Sequence, residues 1–215
     1  MAVKKRTVVF FFVFPVLVLL SITLGLASCA TVGIEKLQYD VVQKDDSFEI
    51  RQYDPYLVAE TLVSADFKDA GNMAFNRLFD YISGANQSAE KIAMTAPVNQ
   101  QPVSEKIAMT APVTQQAAGD QYAVRFVMPD KYTLQTLPQP TNEQVVVKEV
   151  GGYRAAVVRY SGTWSQTRYE AKKAALEQWM QQQGLTAVGD PIWARYDPPF
   201  QLWFLRRNEV IIPVE

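Results

Sequence analysis

Phe67-Lys68-Asp69-Ala70-Gly71-Asn72-Met73-Ala74-Phe75-Asn76-Arg77-Leu78-Phe79-Asp80-Tyr81-Ile82-Ser83 is the stretch from which the rest of the chain is read. Phe75, Leu78, Phe79 and Ile82 recur at helical spacing and make one apolar face. Asp66 stands where an N-cap belongs and Gly84 where a C′ glycine belongs, so the spacing predicts a helix over 67–83. A second window of the same kind runs from Ser165 to Gln183. There Tyr169, Leu176, Trp179 and Met180 share one side, and Glu170, Glu177 and Gln181 lie opposite. Lys172 and Lys173 fall near the apolar side, where their stems can snorkel to water. Thr163 or Ser165 caps this helix and Gly184 ends it.

Around these windows the apolar residues alternate, the pattern of strands. The predicted strands are Gln38–Val42, Ser47–Gln52, Tyr56–Val63, Ile92–Val98, Tyr122–Met128, Val145–Val150, Tyr153–Tyr160, Ile192–Tyr196, Leu202–Leu205 and Val210–Val214. Prolines punctuate them, among them Pro97, Pro129, Pro138 and the Pro198-Pro199 pair. Strands, a helix and strands are followed by the same order again. The expectation is an α+β fold of two similar halves, with a mainly antiparallel sheet and two helices packed against it. Each half is small for a core of its own, so one domain is expected.

Composition excludes several chemistries. The chain has 215 residues, one Cys and no His. A Ser-His-Asp or Cys-His catalytic arrangement within it is impossible, as is a zinc site of the usual His or multi-Cys kind. The formal net charge of −1 argues against general nucleic-acid binding, and no nucleic-acid partner is expected. No glycine-rich phosphate loop is present. Asp45-Asp46 sits in an expected turn, where Asp is common for backbone reasons, and has no catalytic role assigned.

Glu90–Val98 recurs without change as Glu105–Val113, and a Gln pair lies just beyond each copy. Two copies do not make a solenoid. The expectation is a local tandem duplication in which one copy occupies a strand position. The other forms a surface insertion or an added hairpin, because extra loop length has a small entropic cost.

The N-terminal segment has a different character. Lys4, Lys5 and Arg6 precede a largely apolar run from Val8 to Leu24, and Leu26-Ala27-Ser28-Cys29 follows it. A basic start, an apolar stretch and small residues at a cut site read as an export signal. The last four residues resemble the lipobox of bacterial lipoproteins, in which the Cys becomes the lipidated N-terminus. The alternatives are an uncleaved membrane anchor, at the short end of what crosses a bilayer, and a plain signal peptide. The expected organisation is a signal at 1–28, a tether at 29–36 and a binding domain at 37–215. Localisation is then outside the cytoplasm on a bacterial membrane. Ala30 in place of an Asp after Cys29 favours the outer membrane, facing the periplasm.

The ordered motifs of the remainder resemble the SOUL/haem-binding protein family. They are Phe48–Tyr53, Asn76–Asn86, Lys91–Val98, Phe126–Pro129, Tyr160–Gly162, Ala194–Pro199 and Arg206–Val210. Any one of them is weak, and the set in order is specific. The resemblance covers nearly all of 37–214. It implies a distorted antiparallel β-barrel or sheet with two helices, made from two βαββ-type halves. It also implies a binding protein for haem or another tetrapyrrole, and no enzymatic role. Some relatives ligate haem through histidine, and this chain has none.

A haem presents a flat apolar face and two carboxylates. Met73, Phe75, Leu78 and Phe79 are the candidate apolar wall. Arg51, Arg77 and Lys91 are the candidate propionate partners, since Arg pairs carboxylates bidentately and Lys offers a point charge. Ordinary core is the alternative for the first set and a solvated surface for the second. Met94, Met109 and Met128 are candidate soft axial ligands or core fillers, and a tyrosine is a further axial possibility. A second function on the same fold is an apolar small-molecule or protein-interaction module without a tetrapyrrole.

Overall fold

The structure is a computed structural model that describes residues 33–88 and 104–215. The export signal, Cys29, the first repeat copy, Lys91 and Met94 lie outside the described residues.

Both helices form where the periodicity places them. Helix α1 spans Phe67–Ser83. The Asp66 carboxylate accepts from the backbone N–H groups of Lys68 and Asp69 at 3.1 and 2.9 Å, which satisfies two of the donors a helix start leaves open. Gly84, at φ 126°, ends it. Helix α2 spans Gln166–Gln183, with Ser165 as N-cap and Gly184 in the left-handed region as C-cap. It buries Tyr169, Leu176, Trp179 and Met180 as expected. The buried face of α1 differs from the expected one. It is carried by Phe67, Ala70, Ala74, Leu78, Tyr81 and Ile82, and Phe79 is exposed. Small residues at 70 and 74 let the helix lie close to the sheet, and this rotates Phe79 toward water.

Nine strands form one curled antiparallel half-barrel. In chain order they are β1 Asp40–Asp45, β2 Phe48–Tyr53, β3 Tyr56–Val63, β4 Val113–Ala118, β5 Gln121–Val127, β6 Val146–Val150, β7 Tyr153–Tyr160, β8 Ile192–Arg195 and β9 Asn208–Pro213. Their order across the sheet is β6-β3-β5-β4-β8-β9-β7-β2-β1. The halves are therefore interlaced. The first contributes the block β3-β5-β4 and the second the block β8-β9-β7, joined by the β4–β8 pair. The leading strands of each half cross to the other, the β1–β2 pair onto β7 and β6 onto β3.

Because strand side chains alternate, β7 feeds two cores. Ala156, Val158 and Tyr160 pack under α2, while Ala155 and Val157 face the inside of the curl. Helix α1 covers a third cluster with Ala59, Val63, Val124 and Phe126 of β3 and β5.

Three readings are corrected. Leu202–Leu205 is not a strand: Trp203–Leu205 forms a single 3-10 turn, since the Pro198-Pro199 pair and exposed side chains leave no ladder for it to join. Val113–Ala118, where no strand is expected, forms the interior strand β4. The last residues read as tether belong to the compact unit 34–215, where Glu35–Lys36 pairs with Thr110–Ala111 of the second repeat copy. That copy thus supplies a strand position.

The inside of the curl holds a buried ionic cluster. Arg51 donates to Glu209 at 2.8 and 3.0 Å and to Glu49 at 2.7 Å. Arg207 and the Tyr196 hydroxyl donate to the same Glu209 at 2.9 and 2.8 Å. Burial pushes the Glu209 carboxyl up, but Arg51 and Arg207 together hold it below its ordinary value. Arg51, 1% exposed, is therefore not a free surface cation. It shares a strand face with Tyr53, which points inward.

Candidate functional site

A cavity of about 540 Å3 opens at the seam between the two halves, within the size range of small-molecule sites. Four pieces of chain build its wall. Helix α1 supplies Gly71, Asn72, Phe75 and Asn76; the second repeat copy supplies Met109–Ala111 and Val113; Trp164 precedes α2; Arg195–Phe200 leaves β8. Ile34, the second described residue, closes one side. The wall is mainly apolar, with Phe75, Trp164, Tyr196 and Phe200 as its aromatic members.

Arg195 is the cation of this wall. Its Nη2 donates to the Gln115 side-chain oxygen at 2.7 Å, and its guanidinium lies 4.4 Å from the Trp193 ring centroid. Gln115 is itself fixed by donating to the Phe67 carbonyl at 2.8 Å. Among the described residues no carboxylate lies within ion-pair distance of Arg195. Burial pulls its guanidinium down to about 10, so it stays charged at neutral pH. Two buried N–H donors on the wall residues, Arg195 Nε and Trp164 Nε1, find no acceptor among the described residues. A buried donor without an acceptor is costly, and natural proteins leave few of them. The site is thus a mainly apolar chamber whose wall carries Arg195 and one carboxylate, Asp197, which accepts from the Arg207 N–H; among the described residues Arg195 has no ion pair and two donors are unsatisfied. This chemistry suits an apolar molecule that carries an anionic oxygen.

Gly71 explains how the guanidinium fits beneath α1. A Cβ built there meets Arg195 Nη2 at 2.7 Å and the Gln115 side-chain oxygen at 3.1 Å. A glycine inside a helix costs about 1 kcal/mol relative to alanine, and here it makes room for Arg195.

The candidates read from the sequence are scattered by the fold. Phe75 lines the cavity and Met109 stands on its wall. Leu78 is fully buried in the core under α1. Met73 and Phe79 are exposed, at 51% and 46%. Arg77 is held by Thr61 Oγ1 and the Leu62 carbonyl at 2.6 and 3.3 Å. Arg51 sits in the ionic cluster, and Met128 is buried among apolar neighbours. The residues that sequence reasoning missed are Gly71, Trp164 and Arg195. Two signals pointed to them: a glycine inside a strong helix, and an arginine closing the apolar strand Ile192-Trp193-Ala194.

Among the described residues there is no group of three or more His, Cys, Asp or Glu placed to hold a metal ion. Nor is any helix there long and apolar enough to cross a membrane.

Comparison with known proteins follows the same lines. A family model described as "SOUL heme-binding protein" matches residues 34–213. A Mus musculus protein named "Heme-binding protein 2" is 27% identical over 185 residues, covering 81% of this chain and 85% of that one. Among solved structures, the C-terminal domain of EcmrR aligns with a TM-score of 0.55 at 14% identity, covering 83% of this chain and 99% of that domain. A structure described as a hydrolase from Listeria innocua aligns with a TM-score of 0.53 at 11% identity, covering 81% and 94%. At these identities the two structures speak for the fold alone.

Proposed function

The chain belongs to the SOUL heme-binding protein family, and from that premise we propose that it binds haem or a related tetrapyrrole non-covalently in the cavity between α1 and the β8 exit. The observation that carries this reading is Arg195: a guanidinium on the wall of a mainly apolar chamber, with no carboxylate within ion-pair distance among the described residues. Phe75, Trp164 and Phe200 would lie against the macrocycle, and Arg195 would hold a propionate by charge-assisted hydrogen bonds. The chain contains no His, and the Tyr196 hydroxyl is engaged by Glu209, so among the described wall residues axial ligation would fall to Met109 or to none. We further assign the N-terminal segment a tethering role, with Cys29 lipidated and the domain held at a bacterial membrane, the outer one in a cell that has two.

Titration of the full chain with ferric haem and, separately, with its dimethyl ester tests the site. The expected result is a saturable one-to-one Soret change with haem, and affinity for the ester at least tenfold lower. No saturable change with either compound rejects the tetrapyrrole reading. Equal affinity for both rejects the role of Arg195.

The second reading is an apolar small-molecule or protein-interaction module on the same fold. The absence of histidine favours it. A fatty acid that displaced haem at comparable concentration would support it.

Gly71→Ala provides an independent check on the cavity. The new methyl displaces the far end of a flexible side chain, so folding stability is expected to stay within about 1 kcal/mol of the parent, helped by the better helix propensity of alanine. Haem affinity is expected to fall about tenfold, the loss of one charge-assisted hydrogen bond. Unchanged affinity would mean that the position of Arg195 is irrelevant to the ligand.

A further inference from the structure

Phe200, Leu202, Trp203, Phe204 and Leu205 are exposed at 75, 49, 55, 52 and 51%. Five large apolar side chains within six residues is an unusual surface for a soluble domain. Their backbone is held in place. Gly162 donates to the Trp203 carbonyl at 3.0 Å, and Arg206 donates to the carbonyls of Gln201 and Pro199 at 2.8 and 2.5 Å. The Arg206 guanidinium also lies 4.5 Å from the Trp164 ring centroid. The segment is therefore a fixed wedge that presents its apolar side chains to solvent.

Two further observations say what covers it. The first is charge. Arg159 and Arg206 border one groove with Phe204 and Leu205, and Arg168 lies against Gly162, whose N–H donates to the Trp203 carbonyl. None of the three has a carboxylate within ion-pair distance among the described residues. Asp46 and Glu49 also border that groove, but Glu49 is engaged by Lys44 and Arg51. An aromatic wedge bordered by arginines that have no ion pair among the described residues matches the headgroup boundary of an anionic bilayer, where Trp and Phe bury their rings and Arg meets phosphate.

The second observation is reach. Ile34 and Phe200 line the same cavity. Cys29 precedes Ile34 by five residues, which span at most about 18 Å when extended. A lipid on Cys29 would keep this face of the domain at the membrane. The reach argument rests on the tether assigned above; the composition and charge of the wedge do not.

We propose that residues 200–205 insert into the headgroup boundary of an anionic phospholipid bilayer. The wedge then seats the cavity mouth on the membrane, and an apolar ligand passes between bilayer and cavity without crossing water.

The test uses the full chain reconstituted in vesicles of phosphatidylcholine and phosphatidylglycerol with brominated acyl chains, which quench tryptophan on contact. Quenching is expected in the parent and lost in Trp203→Phe. Arg159→Gln with Arg168→Gln is expected to reduce it at least twofold on these vesicles and to leave it unchanged on phosphatidylcholine alone. Quenching that persists in Trp203→Phe overturns the proposal. So does an unquenched Trp203 whose emission shifts with protein concentration, because a second copy of the chain then covers the wedge. The intact mass of the same preparation reads the anchor separately: lipid mass on Cys29 supports it, and its absence rejects the tether without touching the quenching result.

Discussion

The Glu209→Gln chain is expected to lose about 3–5 kcal/mol of folding stability, the range found when one partner of a buried ion pair is removed. Glu209 is fully buried and receives Arg51, Arg207 and Tyr196. Its removal as a charge leaves Arg51, itself 1% exposed, with only Glu49 as counter-ion. A glutamine fills the space but offers one weak acceptor to two guanidiniums. Denaturant unfolding at neutral pH measures the loss. Adding Arg51→Met is expected to recover part of it, since it removes one of the orphaned charges.

The same residue sets an acid limit. Because the folded carboxyl lies below its ordinary value of 4.5, its contribution is complete above that value and is lost as pH falls through the folded one. Glu60 behaves likewise: burial opposes its ionisation, and Lys148 and Arg125 outweigh that effect. Parent stability is therefore expected to drop below about pH 4.5, and the drop is expected to be shallower in Glu209→Gln. An acid limb of equal depth in both chains would place the loss elsewhere.

Arg195→Leu is expected to have the opposite profile: a large functional loss with a small structural one. The ligand loses a hydrogen bond to a charged group, worth about 1.5–3 kcal/mol, so haem affinity is expected to fall roughly 10- to 100-fold. Affinity for the dimethyl ester, which has no carboxylate to meet the guanidinium, is expected to stay unchanged. Folding stability is expected to move by less than about 1 kcal/mol, because no buried counter-ion is left behind. Gln115 loses a donor and Trp193 a stacked cation, and removal of an uncompensated buried charge offsets both. Arg195→Lys should fall between, since it keeps the charge and loses the planar fork. An ester affinity that fell in parallel with haem would show that Arg195 shapes the cavity and does not meet the carboxylate. Glu209 is fully buried and Arg195 partly so; they differ in whether removing one leaves another charge without a partner.

The elements that were legible are those with a local signature. Both helices, their caps, and strands such as Tyr56–Val63 and Tyr153–Tyr160 follow from periodicity and punctuation. Strand β4 was not legible, because Val113-Thr114-Gln115-Gln116-Ala117-Ala118 has no apolar alternation and, after Val113 and Thr114, no strong strand formers. It is a strand because it is paired on both sides, to β5 and β8. The site fared worse than the fold. A basic residue near an apolar motif looks the same whether it faces a ligand or an internal carboxylate, and Arg51 and Arg195 are that pair of cases.

The sequence by itself determined that the chain is α+β, that two helix-bearing halves follow one another, and that no histidine chemistry is possible. These properties depend on residue type and on spacings of two to four residues, which act along the chain. Only the tertiary structure decided that the halves exchange their leading strands, that Arg51 is neutralised and Arg195 is not, and that Gly71, Trp164 and Arg195 share one cavity. Those outcomes depend on pairings between residues far apart in sequence, such as Gln115 with Arg195 and Arg51 with Glu209. A strand pattern states that a partner is needed without naming it.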